Sequence, residues 1–429
     1  MISSDPKQVK QICFDRIDLS NQRKLSVARE NGAYQFLPTV LKEFDAERII
    51  DEVKTSGIRG RGGAGFPTGL KWSFVPRNTG KPTYLLCNAD EGEPGTFKDR
   101  DIMRFDPHLL IEGMIMAGFA LDVRDAYIYI RGEFVHEANV LNEAIAEAYG
   151  ANLLGENILG TSYSMDLTVH RGAGAYVCGE ETALIESLEG KAGRPRFKPP
   201  FPAVEGFYRC PTVVNNVETL STIPAILEHG GEWHAQIGKP NNTGMKIFSV
   251  SGHVNKPGNY EVPMGTSLKT LIEDHCGGLQ HGTLPKVIIP GGSSTPWLTA
   301  EHYDMPLTYD DMVKAGSMLG SGAVIVMDET ADLLAVTRRL AHFYAHESCG
   351  QCTPCREGTG WLERILMRIE NGQGQPGDID VLKDAANHMA GRTICALADG
   401  AAAPVLSLIK HFPEELASRT SENVVEKAA

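Results

Sequence analysis

The chain has 429 residues, a formal net charge of −13 at pH 7 and a pI near 5.5. This length predicts roughly two to four compact units, and the acidic balance argues against a nucleic-acid partner. No window approaches the ~20 apolar residues of a membrane span, and Met1–Asp5 has no leader character. The nine cysteines are too dispersed for a disulfide scaffold, so we expect a reducing compartment, with the cytoplasm as the default.

The first residues carry scattered charge and no sustained period. We therefore expect residues 1–35 to form an irregular arm on the surface. From Leu37 to Lys54 the pattern predicts one helix, because Ile50 and Val53 fall on one stripe and Gly57 stands where a helix-terminating glycine would.

A glycine-rich stretch follows, with the sequence Gly60-Arg61-Gly62-Gly63-Ala64-Gly65-Phe66-Pro67-Thr68-Gly69. Its glycines would let backbone N–H groups approach a phosphate. Cationic and aromatic side chains surround it, namely Arg59, Arg61, Lys71, Phe66, Trp72 and Phe74, and the aromatic rings could stack on a purine or flavin. The G-x-G-x-x-G match is weak alone, because it follows a predicted helix rather than a strand. A flexible surface loop is the alternative.

The next hundred residues alternate strands and helices. We expect strands at 84–87, 126–130 and 167–169, and helices at 107–121 and 137–149. This alternation predicts a parallel, right-handed α/β layer with ligands at the carboxyl ends of the strands.

Polar loops follow several of these strands. They are Asn88-Ala89-Asp90-Glu91-Gly92-Glu93-Pro94-Gly95, the segment from Gly172 to Thr182, and the pair Asn215-Asn216, which ends a short strand in the stretch 211–219. Their carboxylates and amides could bind ribose or ribityl hydroxyls, or they could form plain solvated turns. Cys178 has no neighbour at ligand spacing, and we interpret it as a buried, incidental thiol.

Beyond Asn242 the composition changes, which marks a domain boundary. A strand is predicted at 245–250, and the stretch 254–262 contains a Pro-Gly turn at Pro257-Gly258 and a second strand. A helix covers 267–276, and further strands follow at 287–290 and 323–327. This pattern predicts a small mixed domain of β-grasp type, without a catalytic constellation of its own.

The last unit is helical. Helices predicted at 332–346, 361–369, 379–389 and 405–412 would form a four-helix bundle. We expect the bundle to hold a metal site at one end, where helix N-termini favour net negative charge.

Four cysteines mark that site: Cys349, Cys352 and Cys355 at a strict spacing, and Cys395 between two helices. Four thiolates suit a [4Fe–4S] cluster. Zinc is the rival, since thiolates bind both metals, although structural zinc sites usually pair two Cys-x-x-Cys units. A chance arrangement is the third alternative.

The glycine stretch, the Asn88 to Gly95 loop, the Gly179-Glu180-Glu181-Thr182 segment and the cysteine run together resemble the NADH-binding flavoprotein subunits of respiratory complex I. The resemblance covers about residues 40–410. It implies an α/β fold with a Rossmann-like FMN- and NADH-binding domain over 1–238, an SLBB, ubiquitin-like β-grasp domain over 239–330, and a four-helix bundle with a [4Fe–4S] cluster over 331–429.

The resemblance further implies an NADH dehydrogenase that passes hydride to FMN and single electrons to the cluster and onward towards quinone. No general acid or base is expected, because the flavin carries the chemistry. One alternative is a diaphorase subunit of an NAD-linked hydrogenase or formate dehydrogenase. Another is a non-catalytic, zinc-stapled nucleotide-binding adaptor.

Carried over by position, the resemblance places the adenine ring of NADH near Phe66, Phe74 and Phe201, with Glu93 and Glu181 beside it. The metal ligands are Cys349, Cys352, Cys355 and Cys395. The full set of implied FMN and NADH contacts is Gly60, Arg61, Gly62, Gly63, Ala64, Gly65, Phe66, Lys71, Phe74, Asn88, Asp90, Glu91, Glu93, Tyr176, Gly179, Glu180, Glu181, Lys198, Phe201, Asn215 and Asn216.

The implied partners are NADH and two iron–sulfur subunits of complex I, a [2Fe–2S] thioredoxin-like subunit and a large multi-cluster subunit. No nucleic acid is expected, and contact with the membrane is indirect. The implied location is peripheral, on the cytoplasmic side of the bacterial inner membrane.

Overall fold

In the computed structural model, which describes residues 10–420, a parallel α/β domain, a smaller mixed β domain and a helical bundle follow one another along the chain. Within that range, no helix has the length and apolar character needed to cross a membrane.

The N-terminal region contains helices α1 (Leu25–Glu30), α2 (Leu37–Glu43), α3 (Ala46–Thr55) and α4 (Thr68–Ser73). The prediction of one helix over 37–54 is wrong, because Asp45 interrupts it. The Asp45 carboxylate accepts a hydrogen bond from Arg48 N at 2.8 Å and caps α3, so a new helix begins there.

The arm predicted over 1–35 is wrong in part, since it includes α1 and its residues Cys13 and Phe14 are buried. Residues 1–9 of that prediction lie outside the described residues. The backbone N–H groups of Ile12, Cys13 and Phe14 all donate to the buried Glu261 carboxylate of the middle domain, at 2.8–3.1 Å. This part of the arm is therefore packed between two domains and does not lie on the surface.

The central sheet of the α/β domain consists of β1 (Thr83–Ala89), β2 (Val123–Ile130), β3 (Asp166–Arg171) and β4 (Thr212–Asn216). All neighbours are parallel, in the order β3-β2-β1-β4. The chain therefore leaves β1 towards β2 on one side and returns as β4 on the other. The carboxyl ends of β1 and β4, where Asn88 lies opposite Asn216, form a topological switch point at which ligands bind.

The helices of this domain are α5 (Lys98–Phe105), α6 (Pro107–Leu121), α7 (Val135–Gly150), α8 (Glu181–Leu188), α9 (Val217–His229) and α10 (Gly231–Ala235). Helix α6 is apolar and almost entirely buried, as expected for a helix at the centre of a core. It packs closely on α9, since a Cβ at Gly113 would lie 2.0 Å from Leu220 O.

The middle domain contains β5 (Gly238–Lys239), β6 (Asn242–Thr243), β7 (Met245–Gly252), β8 (Gly258–Pro263), α11 (Leu268–Thr270), β9 (Val287–Ile289), α12 (Tyr309–Lys314) and β10 (Ala323–Met327). Its sheet has the order β8-β7-β10-β9. Strands β7 and β8 form the predicted antiparallel hairpin, whereas β7 and β10 are parallel. This mixed topology agrees with the β-grasp prediction.

The C-terminal bundle contains α13 (Leu333–Glu347), α14 (Thr353–Glu370), α15 (Asp378–Met389), α16 (Leu397–His411) and the short α17 (Pro413–Ala417). The predicted starts of α14 and α16, at 361 and 405, are wrong by two turns. Helix α14 begins directly after Cys352 and α16 begins two residues after Cys395, and the first two turns of each lack a clear helical period. Pro354 suits the first turn of α14, where no backbone donor is needed.

Candidate active site

A cavity of about 290 Å³ opens at the switch point between β1 and β4, near the lower end of the ~300–1,000 Å³ typical of small-molecule pockets. All three parts of the chain line it. The α/β domain supplies most of the wall, the middle domain supplies Ser294, Met318 and Ser321, and the bundle supplies Cys395, Ala396, Leu397, Asp399 and Gly400.

Many residues predicted from the sequence meet in this cavity. Its lining includes Arg61, Gly62, Asn88, Asp90, Glu91, Glu93, Tyr176, Gly179, Glu180, Asn216 and Cys395. Other predicted residues lie outside the lining: Gly60, Gly63, Ala64, Gly65, Phe66, Lys71, Phe74, Glu181, Lys198, Phe201 and Asn215.

The glycine loop packs against the middle domain. Gly65 has a φ of +63°, and a Cβ there would lie 2.5 Å from the Tyr309 ring. The Tyr309 hydroxyl donates to Gly60 O at 2.9 Å. The buried guanidinium of Arg61 donates to Thr243 O and Met245 O, so its charge is engaged with the middle domain.

Lys71, Glu181 and Lys198 form an ion-paired group beside the cavity. The Glu181 carboxylate lies 2.9 Å from each lysine Nζ, and Lys198 also pairs with Glu180 at 2.9 Å. Burial alone would raise the pKa of Glu181, but the two lysines outweigh it and lower the pKa to about 2. Glu181 is therefore ionised across the physiological range.

Phe66 and Phe74 pack against each other with ring centroids 6.2 Å apart. They are 45% and 51% exposed, and Phe201 is 58% exposed, so all three rings have free faces. Trp72 does not share this property, because it is buried and its indole N–H donates to the Asn215 carboxamide at 2.8 Å. The expectation that Trp72 offers a stacking surface is wrong.

Asp90 carries an orphaned acceptor. Its Oδ2 is buried, and no hydrogen-bond partner for it exists among residues 10–420. Burial raises the pKa of Asp90 to about 7. Asn88 orders the surrounding wall, because its amide donates to Gly179 O at 2.8 Å and its carbonyl accepts from Asp90 N at 3.1 Å. An unsatisfied acceptor in a polar cavity is what a hydroxyl- or N–H-bearing ligand would complete.

Glu91 caps a helix of the cavity wall. Its carboxylate accepts hydrogen bonds from Asp99 N at 2.8 Å and Arg100 N at 3.0 Å, at the start of α5. Burial, and then the neighbouring Asp99 carboxylate, raise the pKa of Glu91 above its ordinary value.

Glu93 joins the three parts of the chain. It accepts hydrogen bonds from Tyr176 Oη at 2.6 Å and from Ser294 N at 2.8 Å, and Ser293 Oγ lies 3.2 Å away. Ser293 in turn shares a 2.7 Å hydrogen bond with the Tyr344 hydroxyl of α13. One carboxylate of the cavity wall therefore touches the middle domain directly and the bundle through a single serine.

The floor of the cavity contains a charge network that the sequence did not predict. Lys98 is 1% exposed, and its Nζ lies 2.7 Å from both Asp99 Oδ1 and Glu218 Oε2. Lys246 of the middle domain approaches the same Glu218 oxygen at 3.7 Å. Burial opposes the charge on Lys98, but Asp99 and Glu218 outweigh it and raise its pKa, whereas burial lowers the pKa of Lys246 to about 7. In sequence, Lys98 to Asp101 cannot be told from a solvated helix start.

The four cysteines surround one end of the bundle. Cys349 follows α13, Cys352 and Cys355 lie at the start of α14, and Cys395 precedes α16. A hydrogen bond of 3.4 Å from Ile394 N to Cys352 Sγ brings the two cysteine segments together. Among residues 10–420, no group of three or more His, Cys, Asp and Glu side chains could hold a metal ion directly. Four soft donors, three of them at the N-terminal ends of α14 and α16, fit an anionic cluster.

Matches to known families follow the order of the three parts. Residues 53–225 match the Nuo51 FMN-binding domain, residues 246–326 the SLBB domain, and residues 335–419 the NADH-ubiquinone oxidoreductase-F iron–sulfur binding region. The NADH-quinone oxidoreductase F subunit of Rickettsia felis is 57% identical over 407 residues, covering 95% of this chain and 96% of that protein. The chain belongs to this family of F subunits. The Rickettsia bellii relative is 56% identical over 377 residues, covering 87% and 90%.

Solved structures agree with this family assignment. A chain of an NAD⁺-reducing [NiFe]-hydrogenase in the H2-reduced state superposes with a TM-score of 0.81 and 39% identity, covering 88% of this chain and 63% of the hydrogenase chain. The air-oxidised form gives 0.82 and 37%, covering 95% and 67%.

Membership in the F-subunit family confirms the main predictions from the sequence: the three-part fold, the NADH dehydrogenase function and the cofactors FMN, a [4Fe–4S] cluster and NADH. It therefore favours an iron–sulfur cluster over zinc as the metal centre of the chain. As part of an oxidoreductase complex, the chain also has partner subunits.

Proposed function

We propose that FMN binds in the cavity at the β1/β4 switch point and that the four cysteines hold the cluster next to it. The observation that carries this proposal is a shared wall. Cys395 and the residues that follow it line the cavity, while Ile394 N is bonded to Cys352 Sγ. An electron could therefore pass from the cavity to the cysteine site without leaving the chain.

The cavity wall offers ligands of the right kind for a flavin nucleotide. The orphaned Asp90 Oδ2 can accept a hydrogen bond, and Asn216 has a second amide N–H beside the one that it donates to Asp99 Oδ2 at 2.6 Å. Backbone groups of Gly62 and Gly179 line the wall without side chains in the way. When bound, FMN supplies the conversion between two-electron and one-electron chemistry. The chain's own residues bind and orient it.

Aromatic and charged side chains outside the cavity lining offer contacts for a second nucleotide. Phe66, Phe74 and Phe201 expose ring faces on which an adenine could stack, and the Lys71–Glu181–Lys198 group lies next to cavity-lining Glu180. We propose that NADH enters there, with Glu93 and Glu181 beside its ribose groups. The remaining predicted contacts, Gly60, Arg61, Gly63, Ala64, Gly65, Glu91, Tyr176 and Asn215, would then act by shaping the wall.

For the cluster, we propose Cys349, Cys352, Cys355 and Cys395 as ligands. An open groove of about 610 Å³ beside Cys352 is lined by Phe197, Lys198, Gln351 and Arg392, among others. Phe197 is 73% exposed. An iron–sulfur protein of the complex seated on this groove would lie next to a cluster ligand, so we propose this face for electron exit to a [2Fe–2S] or multi-cluster partner.

We further propose a peripheral position on the cytoplasmic side of the bacterial inner membrane, reached through those partner subunits. The domain boundaries 1–238, 239–330 and 331–429 also stay predictions, and both terminal ones include residues outside the described range.

The alternative is a diaphorase subunit of an NAD-linked hydrogenase or formate dehydrogenase. The likeness to NAD⁺-reducing hydrogenase chains favours it, but this chain covers only 63% of one such chain and 96% of the Rickettsia felis relative. The match in length supports the complex I assignment.

An anaerobic experiment tests the proposed site. The chain, loaded with FMN and iron–sulfide, is mixed with NADH while flavin absorbance and the EPR signal of the reduced cluster are followed. We expect both centres to be reduced in the parent, and flavin binding to weaken in Asn216→Ala, with Asn152→Ala on the far loop as a control. Flavin binding unchanged in Asn216→Ala would place FMN elsewhere.

A further inference from the structure

The sulfur atoms of the four cysteines differ in their hydrogen bonds. The Ser348 hydroxyl lies 3.2 Å from Cys355 Sγ. Cys352 Sγ accepts from a backbone group, Ile394 N, at 3.4 Å. Within the described residues 10–420, no other side chain hydrogen-bonds to any of the four sulfurs. Ser348 is therefore the one place where a substitution can remove such a bond without altering the backbone.

The surrounding turn fixes the direction of this hydrogen bond. Gly350 N donates to Ser348 Oγ at 3.4 Å, which occupies a lone pair of the hydroxyl oxygen and leaves its proton for another acceptor. As a cluster ligand, Cys355 is a thiolate without a proton, so it can only accept. The hydroxyl proton therefore lies between Ser348 Oγ and Cys355 Sγ.

The position of Ser348 is also fixed by its backbone. Ser348 ends helix α13, and its N–H donates to Tyr344 O at 3.1 Å. Arg356 clamps the following turn, because its guanidinium donates to Gly350 O at 3.0 Å. Cys355 itself is buried, which shields the hydrogen bond from competing water.

We propose that the Ser348 hydroxyl raises the reduction potential of the cluster by donating a hydrogen bond to the Cys355 thiolate. One-electron reduction adds one negative charge to the cluster and its four thiolates, and no bond breaks and no proton moves. A donor at a ligand sulfur stabilises the more negative state, so it makes the cluster a better electron acceptor. Ser348 is thus a positioning and tuning residue for the electron that leaves the flavin.

This inference rests on the proposed ligand set, in which Cys355 binds the cluster. The test uses the full chain with its cofactors and follows the EPR signal of the reduced cluster during a dithionite titration with mediators. We expect Ser348→Ala to bind as much iron as the parent. Its equilibrium constant for one-electron reduction of the cluster should fall about tenfold, which lowers the reduction potential by ~59 mV. Ser348→Thr keeps the hydroxyl and should restore the parent's potential.

Thr353→Val is the matched control, because Thr353 lies in the same turn and its hydroxyl makes no bond to a ligand sulfur among the described residues. A potential for Ser348→Ala equal to that of the parent, at full iron content, overturns the inference. Cys355→Ser separates this failure from a wrong ligand set, since a fully loaded, parent-like cluster in that variant would overturn the ligand assignment itself.

If Ser348→Ala binds no iron, a measurement on the parent chain tests the proposed hydrogen bond instead. Double-resonance EPR of the reduced cluster in H2O and D2O should show a strongly coupled proton that exchanges rapidly, as a hydroxyl does, in addition to slower backbone amide protons such as that of Ile394. Absence of the rapidly exchanging proton overturns the inference.

Discussion

The cavity and the cysteine site share a wall but are built in opposite ways. The cavity takes its lining from all three parts of the chain, and its floor holds buried opposite charges. The cysteine site takes all four thiols from the bundle, with three of them in one short run. The cavity therefore depends on how the domains dock, whereas the cysteine site depends on one local turn and two helix ends.

This difference predicts which properties a substitution affects at each site. A change at the cysteine site should remove the cluster and leave the cavity able to bind flavin, because most of the cavity wall lies in the α/β domain. A change in the charged floor should affect flavin binding and global stability together, because Lys98 and Lys246 from two domains meet on one oxygen of Glu218.

The largest effect is expected from Cys352→Ser, which should abolish cluster assembly while FMN binding survives. Serine is a poor replacement for a thiolate, since the soft sulfur donor is lost. Iron content, the EPR signal of the reduced cluster and flavin fluorescence together provide the measurement. Cys276→Ser, at a buried thiol of the middle domain, is the control. Full iron content with an unchanged EPR signal would show that Cys352 is not a ligand.

Next in size is Lys98→Met, which removes the cation between two buried carboxylates. Breaking a buried ion pair costs roughly 3–5 kcal/mol, since the partner charges are left uncompensated. We expect urea unfolding to show a loss of this order together with weaker FMN binding. Lys54→Met, at a partly exposed surface pair, should change the free energy of unfolding by less than about 1 kcal/mol. Equal effects of the two variants would contradict the role of the floor.

Asp90→Asn should raise the stability of the flavin-free chain and weaken its binding of flavin. Burial raises the pKa of Asp90 to about 7 from its ordinary 3.8, so the folded chain holds this proton more tightly than the unfolded chain. The contribution of this proton to the free energy of unfolding is fully present below about pH 4 and is lost as the pH rises towards about 7.

For the flavin-free chain near pH 8, Asp90→Asn should therefore raise the free energy of unfolding by roughly 2–4 kcal/mol, and the gain should vanish near pH 4. FMN affinity should fall about tenfold, because an ionised acceptor is lost. Thermal melts at the two pH values and fluorescence titrations check both effects, with Asp51→Asn as an exposed control. A gain in stability independent of pH would contradict the assignment of the titration to Asp90.

The smallest effect is expected from Glu93→Gln, which keeps the shape of a side chain shared by all three parts of the chain. If Glu93 faces the adenosine ribose, its charge repels the 2′-phosphate of NADPH, by up to ~4 kcal/mol at about 4 Å. We expect kcat/KM for NADPH relative to NADH to rise at least about tenfold, which is ~1.4 kcal/mol. Glu133→Gln is the control at an exposed neighbour. An unchanged ratio would transfer the ribose contact to Glu181.

Much of the cavity was predictable, because strand-following polar loops such as Asn88 to Gly95 carry their chemistry in a short stretch. The role of each side chain was not. In sequence, Arg61 resembles a phosphate-binding cation and Glu91 a ligand, but Arg61 bonds to carbonyls of the middle domain and Glu91 caps α5. Lys98 resembles an exposed helix residue but lies in the cavity floor. The roles of Arg61 and Lys98 depend on partners far away in sequence.

The sequence by itself determined the order of the three parts, the parallel α/β layer and the four thiols, because periodicity and cysteine spacing are local properties of the chain. Only the tertiary structure decided that Cys395 borders the cavity, that Lys246 shares Glu218 with Lys98, and that Ser348 hydrogen-bonds to Cys355. These contacts follow from how domains and helix ends dock. Docking depends on the shape and burial of whole surfaces, which no short stretch of residues encodes.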